Sequence, residues 1–160
     1  MLKSTTQNWA VSNYQVSATS LRPVLVAEDD EGDAMLLRLA FSRAQIQHPL
    51  MVVQDGAEAV DYLMGNAAYA DREVYPLPSL LLLDPKMPRL DGFDVLEWWA
   101  SRSEFRGLPV IVFSSSSHET DIDRARRMGA REYVVKPNGF TQLANLVQEL
   151  CERWLSAVLT

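Results

Sequence analysis

The stretch SLLLLDPKMPRLDG, residues 79–92, decides the fold of this chain. Its four leucines lead directly into Asp84, and Pro85, Pro88 and Gly92 then interrupt regular structure. An unbroken apolar run between such breakers predicts a β-strand that is buried on both faces. In parallel α/β sheets, ligands and chemistry gather at the carboxyl ends of the strands. Asp84 is therefore a candidate functional residue if the rest of the chain supplies partners at the same edge.

The length and composition of the chain are those of a single globular domain. It has 160 residues, of which 48% are hydrophobic and 22% are charged, enough to bury a core. The net charge of −6 argues against a nucleic-acid-binding surface, which needs basic residues facing the phosphates. No apolar run approaches the roughly 20 residues of a membrane span, and residues 1–20 lack the apolar segment of a signal peptide. Neither a membrane nor a nucleic acid is therefore expected as a partner.

The single cysteine and the two histidines argue against two further kinds of site. Cys151 has no second cysteine in the chain to pair with, which predicts a reducing, cytoplasmic location. His48 and His118 lie far apart and have no other ligands at the spacing of a zinc site. Neither a disulfide framework nor a zinc centre is predicted.

Short apolar runs alternate with segments of helical periodicity along the chain. The runs predict five strands, at 23–27, 50–53, 79–83, 109–113 and 132–135. Five helices are predicted, the first beginning at 32 and the others covering 56–64, 93–101, 121–128 and 140 to about 157. In the first helix, Leu36, Leu39 and Ala40 are expected to face the core. This alternation predicts an α/β fold, a doubly wound sheet of five parallel strands with five helices.

Two segments fall outside this pattern. Residues 1–20 show no sustained periodicity and are predicted to be a flexible N-terminal extension before one domain at 21–160. The connection at 66–78 contains Pro76 and Pro78 and is long for an α/β fold, in which about 2–6 residues are typical. It is expected to be either an adaptable surface or a partner contact, and the sequence does not decide between the two.

Functional side chains are expected to gather at one edge of the predicted sheet. Glu28 and Asp29 follow the first strand, Asp84 the third, Ser114 the fourth and Lys136 the fifth. Three carboxylates at one edge repel each other unless a cation lies among them, and Mg²⁺ prefers oxygen ligands. A lysine and a hydroxyl suit phosphoryl oxygens, and an aspartate can be the nucleophile that forms an acyl phosphate. The pattern predicts a magnesium-assisted phosphoryl acceptor.

Local structure offers a simpler explanation for several polar residues. Asp30, Glu31 and Asp33 are explained by the start of a helix, where acidic side chains complement the dipole. The serines at 115–117 are explained as solvated loop residues. Considered alone, Asp84 would equally well be a turn residue before a proline, so its functional interpretation depends on its partners.

Four motifs occur in order at characteristic spacing. They are VAED at 26–29, LLLDPKMPRLDG at 81–92, PVIVFS at 109–114 and YVVKP at 133–137. Asp84 precedes Ser114 by 30 positions, and Ser114 precedes Lys136 by 22. With these motifs the chain resembles the receiver domain of two-component response regulators, over about residues 21–157. The resemblance implies a flavodoxin-like sheet with the strand order 2-1-3-4-5.

The resemblance implies roles for the acidic residues. Asp84 accepts a phosphoryl group from a phosphohistidine of a sensor kinase. Asp29 and Asp84 ligate Mg²⁺, together with the backbone carbonyl of Lys86. Glu28 matches the other acidic position and holds the ion through water. The side chain of Lys86 is an unusual cation beside the site, and we hypothesise that it alters metal binding or dephosphorylation.

The resemblance also implies roles for residues at the last two strands. Ser114 and Lys136 bind phosphoryl oxygens. Tyr133 matches the switch aromatic, whose ring turns inward on phosphorylation, although a plain strand residue is the alternative interpretation. The Lys136–Pro137 bond is expected to be cis, as in a specialised X-Pro turn. Phosphorylation is then expected to change the surface formed by helix 4, strand 5 and helix 5.

The resemblance implies protein partners for the chain. A sensor histidine kinase, of the phytochrome type as suggested by the long connection and the Glu28–Asp29 pair, or a phosphotransfer protein supplies the phosphoryl group. No output domain is expected, so a downstream protein effector receives the signal. A homodimer through Trp98 or through the last helix with Trp154 is a further expectation. The chain is predicted not to be an enzyme beyond its own phosphorylation and dephosphorylation.

Two alternatives to a working receiver stay open at this point. One is a magnesium-dependent phosphohydrolase with an aspartyl nucleophile, similar to haloacid dehalogenases. Lys86 stands where that class has its general acid, which disfavours this alternative. The other is a degenerate receiver that binds a partner independently of phosphorylation. The presence of Asp84, Ser114 and Lys136 together disfavours it.

Overall fold

The computed structural model describes residues 21–155 and confirms the predicted α/β fold. The strands are β1 Val24–Ala27, β2 Leu50–Val53, β3 Leu80–Leu83, β4 Val110–Ser114 and β5 Glu132–Val135. The helices are α1 Glu31–Arg43, α2 Gly56–Met64, α3 Gly92–Ala100, α4 Glu119–Arg127 and α5 Phe140–Trp154. Within this described part, no helix combines the length and apolarity needed to cross a bilayer. The predicted extension at 1–20 lies outside the described residues.

The five strands form one parallel sheet in the order β2-β1-β3-β4-β5, which confirms the strand order implied by the resemblance. Ala27 at the end of β1 pairs with Leu83 at the end of β3, and Leu83 pairs with Val112 of β4. Ser114 pairs with Val135 at the end of β5. This register brings the residues that follow β1, β3, β4 and β5 to one edge of the sheet.

The leucine run of β3 is buried because helices cover both faces of the sheet. Leu81 and Leu83 belong to a core shared with α2, α3 and α4. Leu80 and Leu82 point to the opposite face and pack in a core with α1 and α5. Alternate residues of one strand thus contribute to two separate hydrophobic layers. A polar residue at any of these positions would have been buried without a partner, which explains the unbroken apolar run.

The inward face of α1 differs from the prediction. Ala40 is buried as expected, but Leu36 and Leu39 are 44% and 50% exposed. The core contacts come from Leu37 and Phe41, on the neighbouring stripe of the helix. Because α1 carries apolar residues on both stripes, periodicity could not choose between them. Phe41 is packed in the core with residues of β1 and β3, whereas Leu36 and Leu39 lie at the surface.

The long connection between α2 and β3 is ordered by contacts to α2. The Arg72 guanidinium donates to the carbonyl oxygens of Tyr62 at 2.8 Å and Leu63 at 2.7 Å, which are among the last in the helix. The rings of Tyr62, Tyr69 and Tyr75 pack against one another with centroids 5.0–6.0 Å apart. These contacts satisfy carbonyl groups that a helix end leaves without a partner. The connection is therefore attached to the domain along its length.

Candidate functional site

The carboxyl ends of β1 and β3 bring Glu28, Asp29 and Asp84 together. One carboxylate oxygen from each residue lies within 4.8 Å of the others. Glu28 is only 2% exposed and Asp84 is buried, whereas Asp29 is exposed. The structure thus assembles the three acids that the sequence places after these strands. One of them is open to solvent, so an ion can reach the cluster.

Lys136 extends from the end of β5 into the middle of this cluster. Its Nζ donates to Glu28 Oε1 at 2.7 Å, to Asp84 Oδ2 at 2.9 Å and to Asp33 Oδ2 at 3.1 Å. Its backbone N–H donates to the carbonyl oxygen of Ser114 at 2.7 Å, which continues the ladder between β4 and β5. The side chain is 15% exposed. The ammonium group is therefore held beside the candidate acceptor by the sheet itself.

The burial of these charges shifts their proton affinities. Burial raises the pKa of Glu28 to about 7; the hydrogen bond from Lys136 opposes this rise, and the charge of Asp84 adds to it. Burial disfavours the Lys136 ammonium, but its hydrogen bonds to Glu28 and Asp84 outweigh that effect and raise its pKa above the usual value. Lys136 thus stays charged near neutral pH, and Glu28 is costly to ionise without further positive charge.

The donor set fits a hard divalent cation. It consists of carboxylate oxygens, which Mg²⁺ and Mn²⁺ prefer. Asp33 adds a fourth carboxyl group to Glu28, Asp29 and Asp84, and among residues 21–155 only Lys136 forms ion pairs with members of this group. The loop after β3 is also organised at this point, since the Lys86 N–H donates to Asp84 Oδ1 at 2.9 Å. A divalent ion would neutralise most of the excess negative charge.

Asp33 is a member of the cluster that sequence reasoning missed. Its position in the first turn of α1 had a sufficient local explanation as a residue favoured by the helix dipole. In the structure Asp30 is the capping residue, and it accepts from the Asp33 N–H at 2.9 Å. The Asp33 carboxylate instead reaches Lys136. Its place in the first turn of α1, a helix that begins at the edge of the sheet where β1 ends, was the available signal.

Ser114 connects the site to a buried serine in the loop after β4. Ser114 itself is buried, and its Oγ accepts from the Ser116 N–H at 2.9 Å. Ser116 Oγ donates to Asp121 Oδ2 of α4 at 2.9 Å and accepts from the His118 N–H at 3.2 Å. The Tyr133 hydroxyl donates to the Ser116 carbonyl oxygen at 2.8 Å. Ser116 thus contacts the predicted phosphate-binding hydroxyl, α4 and the predicted switch aromatic.

The structure corrects two expectations in this region. Ser116 is 8% exposed, so the prediction of a solvated loop serine is wrong for this member of the run, whereas Ser115 and Ser117 are exposed. No cis peptide bond occurs within residues 21–155, so the expected cis bond between Lys136 and Pro137 is absent. The trans form of an X-Pro bond is favoured by only about 0.5–1 kcal/mol, and the dipeptide alone therefore does not determine the isomer.

A parallel five-stranded sheet with an acidic cluster and a lysine at its carboxyl edge is the arrangement expected of a receiver domain. The chain matches the response regulator receiver domain family over residues 24–148. It therefore belongs to the response regulator receiver domain family. This finding confirms the resemblance that the four sequence motifs indicated.

Three response regulators are similar to this chain along most of its length. RPA3017, in red light signaling of R. palustris, is 37% identical, with a TM-score of 0.80 over 84% of this chain and 94% of that one. The phosphorylated cyanobacterial phytochrome response regulator RcpA is 32% identical, with a TM-score of 0.77 over 85% and 95%. Rcp1 of Synechocystis sp. is 29% identical over 84% of this chain and 90% of its own length. The Mn²⁺-bound form of Rcp1 superimposes with a TM-score of 0.74 over 84% and 94%.

Proposed function

We propose that this chain is a phosphorylated response regulator that accepts a phosphoryl group on Asp84 from a sensor histidine kinase, with Mg²⁺ as cofactor. One observation carries the proposal: the buried Asp84 carboxylate lies 2.9 Å from the Lys136 ammonium and within 4.8 Å of two further acids. An aspartate without a chemical role would not need a buried cation and an acid pair around it. The phosphorylated state of RcpA and the bound Mn²⁺ of Rcp1 support the same assignment.

Each residue of the site has a separate role in the proposed phosphoryl transfer. A carboxylate oxygen of Asp84 forms a bond to phosphorus while the bond between phosphorus and the kinase imidazole nitrogen breaks, and the electron pair returns to the imidazole. Lys136 and the Ser114 hydroxyl bind the phosphoryl oxygens and offset their charge. Glu28, Asp29, Asp84 and the Lys86 carbonyl would hold Mg²⁺, which supplies positive charge at the transferred group.

The surface beside the site suits a protein donor of the phosphoryl group. Met35, Leu36 and Leu39 of α1 are 44–56% exposed, and α1 begins directly at the acidic edge. Exposed apolar side chains next to a reactive group are typical of a surface that a partner covers. Because RPA3017 and RcpA act in red-light and phytochrome signalling, we infer that the donor is a phytochrome-type kinase.

Phosphorylation is read out by another protein in this proposal. The expected effector and the expected homodimer stay predictions. Trp98 and Trp154, predicted as dimer contacts, are both half-buried and already have neighbours within the chain. The Trp98 ring packs near Phe105 with centroids 5.6 Å apart, and the Trp154 N–H donates to Glu132 at 2.8 Å.

Incubation with acetyl phosphate and Mg²⁺, followed by intact-mass analysis, tests the proposed function. One adduct of about 80 Da, the mass of a phosphoryl group, is expected, and it should not form when EDTA removes the metal. Transfer from an autophosphorylated phytochrome-type kinase is expected to give the same adduct. No adduct would favour the degenerate receiver, and sustained turnover of p-nitrophenyl phosphate would favour the phosphohydrolase.

Replacing Ser116 by alanine should weaken the response to phosphorylation without preventing it. The variant keeps the backbone bonds to Ser114 and Tyr133 and loses the hydroxyl that holds Asp121 of α4. The free energy of unfolding should fall by about 2 kcal/mol, because the hydroxyl loses a hydrogen bond to the charged Asp121 and one from the His118 N–H. Amide exchange in α4, compared with and without beryllofluoride as a phosphoryl mimic, should change less than in the wild type.

The neighbouring serine provides a matched control for this experiment. Ser117 is exposed, and Ser117→Ala should retain both the stability and the full response of α4. Both variants are expected to form the acetyl phosphate adduct. If beryllofluoride changed amide exchange in α4 as much in Ser116→Ala as in the wild type, the Ser116 hydroxyl would not couple the site to this helix.

A further inference from the structure

The loop between β3 and α3 is held by a second set of contacts, outside the acidic cluster. The Arg89 guanidinium donates from Nε to Asp55 Oδ2 and from Nη2 to Asp55 Oδ1, both at 2.9 Å. Asp55 is the capping residue of α2 and also accepts from the Glu58 N–H at 2.8 Å. Two parallel hydrogen bonds between an arginine and a carboxylate fix the relative orientation of the two groups as well as the distance between them. The acceptor loop is thus attached to the start of α2.

The backbone of Arg89 adopts a conformation that is unfavourable for a residue with a side chain. Its φ is 65°, in the left-handed region that side chains with a Cβ atom rarely adopt. A glycine would take this conformation without crowding, yet the chain places a long cationic side chain here. The hydrogen bonds from Arg89 also lower the pKa of Asp55, so both partners are charged at neutral pH. The ion pair is thus present at neutral pH together with a disfavoured backbone conformation at Arg89.

Two glycines, at the start of α2 and at the start of α3, allow close backbone approaches around the acceptor loop. A Cβ atom at Gly56, the first residue of α2, would lie 2.0 Å from the carbonyl oxygen of Leu90. A Cβ atom at Gly92 would lie 2.4 Å from the carbonyl oxygen of Asp84. The loop is therefore packed against α2 on one side and against the acceptor's own carbonyl on the other. A shift of Arg89 or Leu90 would be passed on to Asp84 through these close approaches.

We propose that Asp55 and Arg89 are positioning residues, which hold the loop carrying Asp84 and Lys86 in its ligating arrangement before the metal binds. The metal part of this inference rests on the proposed function. Neither residue touches the acidic cluster, and their effect passes through the loop backbone. Residues that orient the ligands of a metal typically change its affinity by about tenfold or more, and an exposed pair such as this one should act at the lower end.

The test compares variants of the pair with a matched ion pair elsewhere. Arg89→Ala removes the pair, and Asp55→Asn removes its charge while the amide oxygen keeps the cap on α2. Arg126→Ala is the control, because Arg126 forms an exposed pair with Asp123 at 2.8 Å on α4. Amide hydrogen exchange of residues 85–91 is measured in the metal-free full chain, and Mg²⁺ affinity is measured by calorimetry.

Both pair variants are expected to exchange the loop amides faster than the wild type in the absence of metal. Their dissociation constant for Mg²⁺ should rise about tenfold. Arg126→Ala should match the wild type in both measurements. Arg89→Gly, which relieves the backbone but removes the guanidinium, should behave like Arg89→Ala. Arg89→Lys keeps the charge but cannot form two parallel hydrogen bonds. Its loop exchange and Mg²⁺ affinity should lie between those of Arg89→Ala and those of the wild type.

Unchanged loop exchange and unchanged Mg²⁺ affinity in Arg89→Ala and Asp55→Asn would overturn the proposal. Wild-type behaviour of Arg89→Gly would do so as well, because it would show that the backbone conformation and not the ion pair holds the loop. Loop exchange in the metal-free chain does not depend on phosphorylation. A failure of the wild type to form a phosphoryl adduct would therefore be recognised separately, as a failure of the proposed function.

Discussion

Replacing Asp84 by asparagine is expected to abolish the phosphoryl adduct formed with acetyl phosphate. The amide lacks the nucleophilic oxygen that forms an acyl phosphate, so the loss should be complete. The fold should remain, since the amide oxygen can still accept a hydrogen bond from Lys136 or from the Lys86 N–H. Without metal, Asp84→Asn should unfold at a higher temperature than the wild type, because one of several mutually repelling charges is gone.

Asp91 offers a matched control in the same loop. It caps α3 by accepting from the Asp94 N–H at 2.9 Å, and an asparagine can take over that role. Asp91→Asn should therefore form the adduct to the same extent as the wild type. A full adduct on Asp84→Asn would contradict the assignment, and peptide mapping would then identify the true acceptor among the neighbouring acids.

The second large effect is expected for Lys136→Met, which removes the cation at the centre of the cluster. Glu28 is 2% exposed and Asp84 11% exposed at their side chains, so both would lose their counter-charge in a poorly solvated place. Breaking a buried ion pair from one side typically costs about 3 kcal/mol or more of the free energy of unfolding. Denaturant unfolding in the presence of EDTA measures this loss.

Magnesium should restore part of the stability of Lys136→Met. A divalent ion that binds the folded cluster compensates its charge and shifts the folding equilibrium by mass action. The gain in the free energy of unfolding on adding Mg²⁺ should therefore be larger for Lys136→Met than for the wild type. Arg127→Met is the control, since Arg127 is an exposed cation at the end of α4 and does not belong to the residues that would hold Mg²⁺, so its loss should change stability little. Equal effects of the two substitutions would contradict the central role of Lys136.

The main members of the site could be predicted from the sequence because each follows a recognisable strand. Asp84 ends the leucine run, and Lys136 ends the last apolar segment. Asp33 and Ser116 could not be predicted in the same way. Helix capping and loop solvation already explain such residues locally, and the contacts of Asp33 with Lys136 and of Ser116 with Tyr133 join distant parts of the chain.

The buried face of α1 could not be predicted from the sequence either. Its sequence allows either Leu36 and Leu39 or Leu37 and Phe41 to face the sheet, since both sets follow helical spacing. The choice depends on the shape of the surface that the helix covers, which is made by residues from other elements. Arg89 and Asp55 are a further example, because they lie 34 positions apart and meet only when α2 packs beside the acceptor loop.

By itself, the sequence determined the fold class, the order of strands and helices, and the strand ends at which Glu28, Asp29, Asp84, Ser114 and Lys136 stand. These features follow from local hydrophobic patterns and from the rule that parallel strands end at a common edge. Only the tertiary structure decided which acids Lys136 contacts, which face of α1 is buried and how Arg89 holds the acceptor loop. Those contacts join residues far apart in the chain, and their distances are set by sheet register and side-chain packing, which no local pattern encodes.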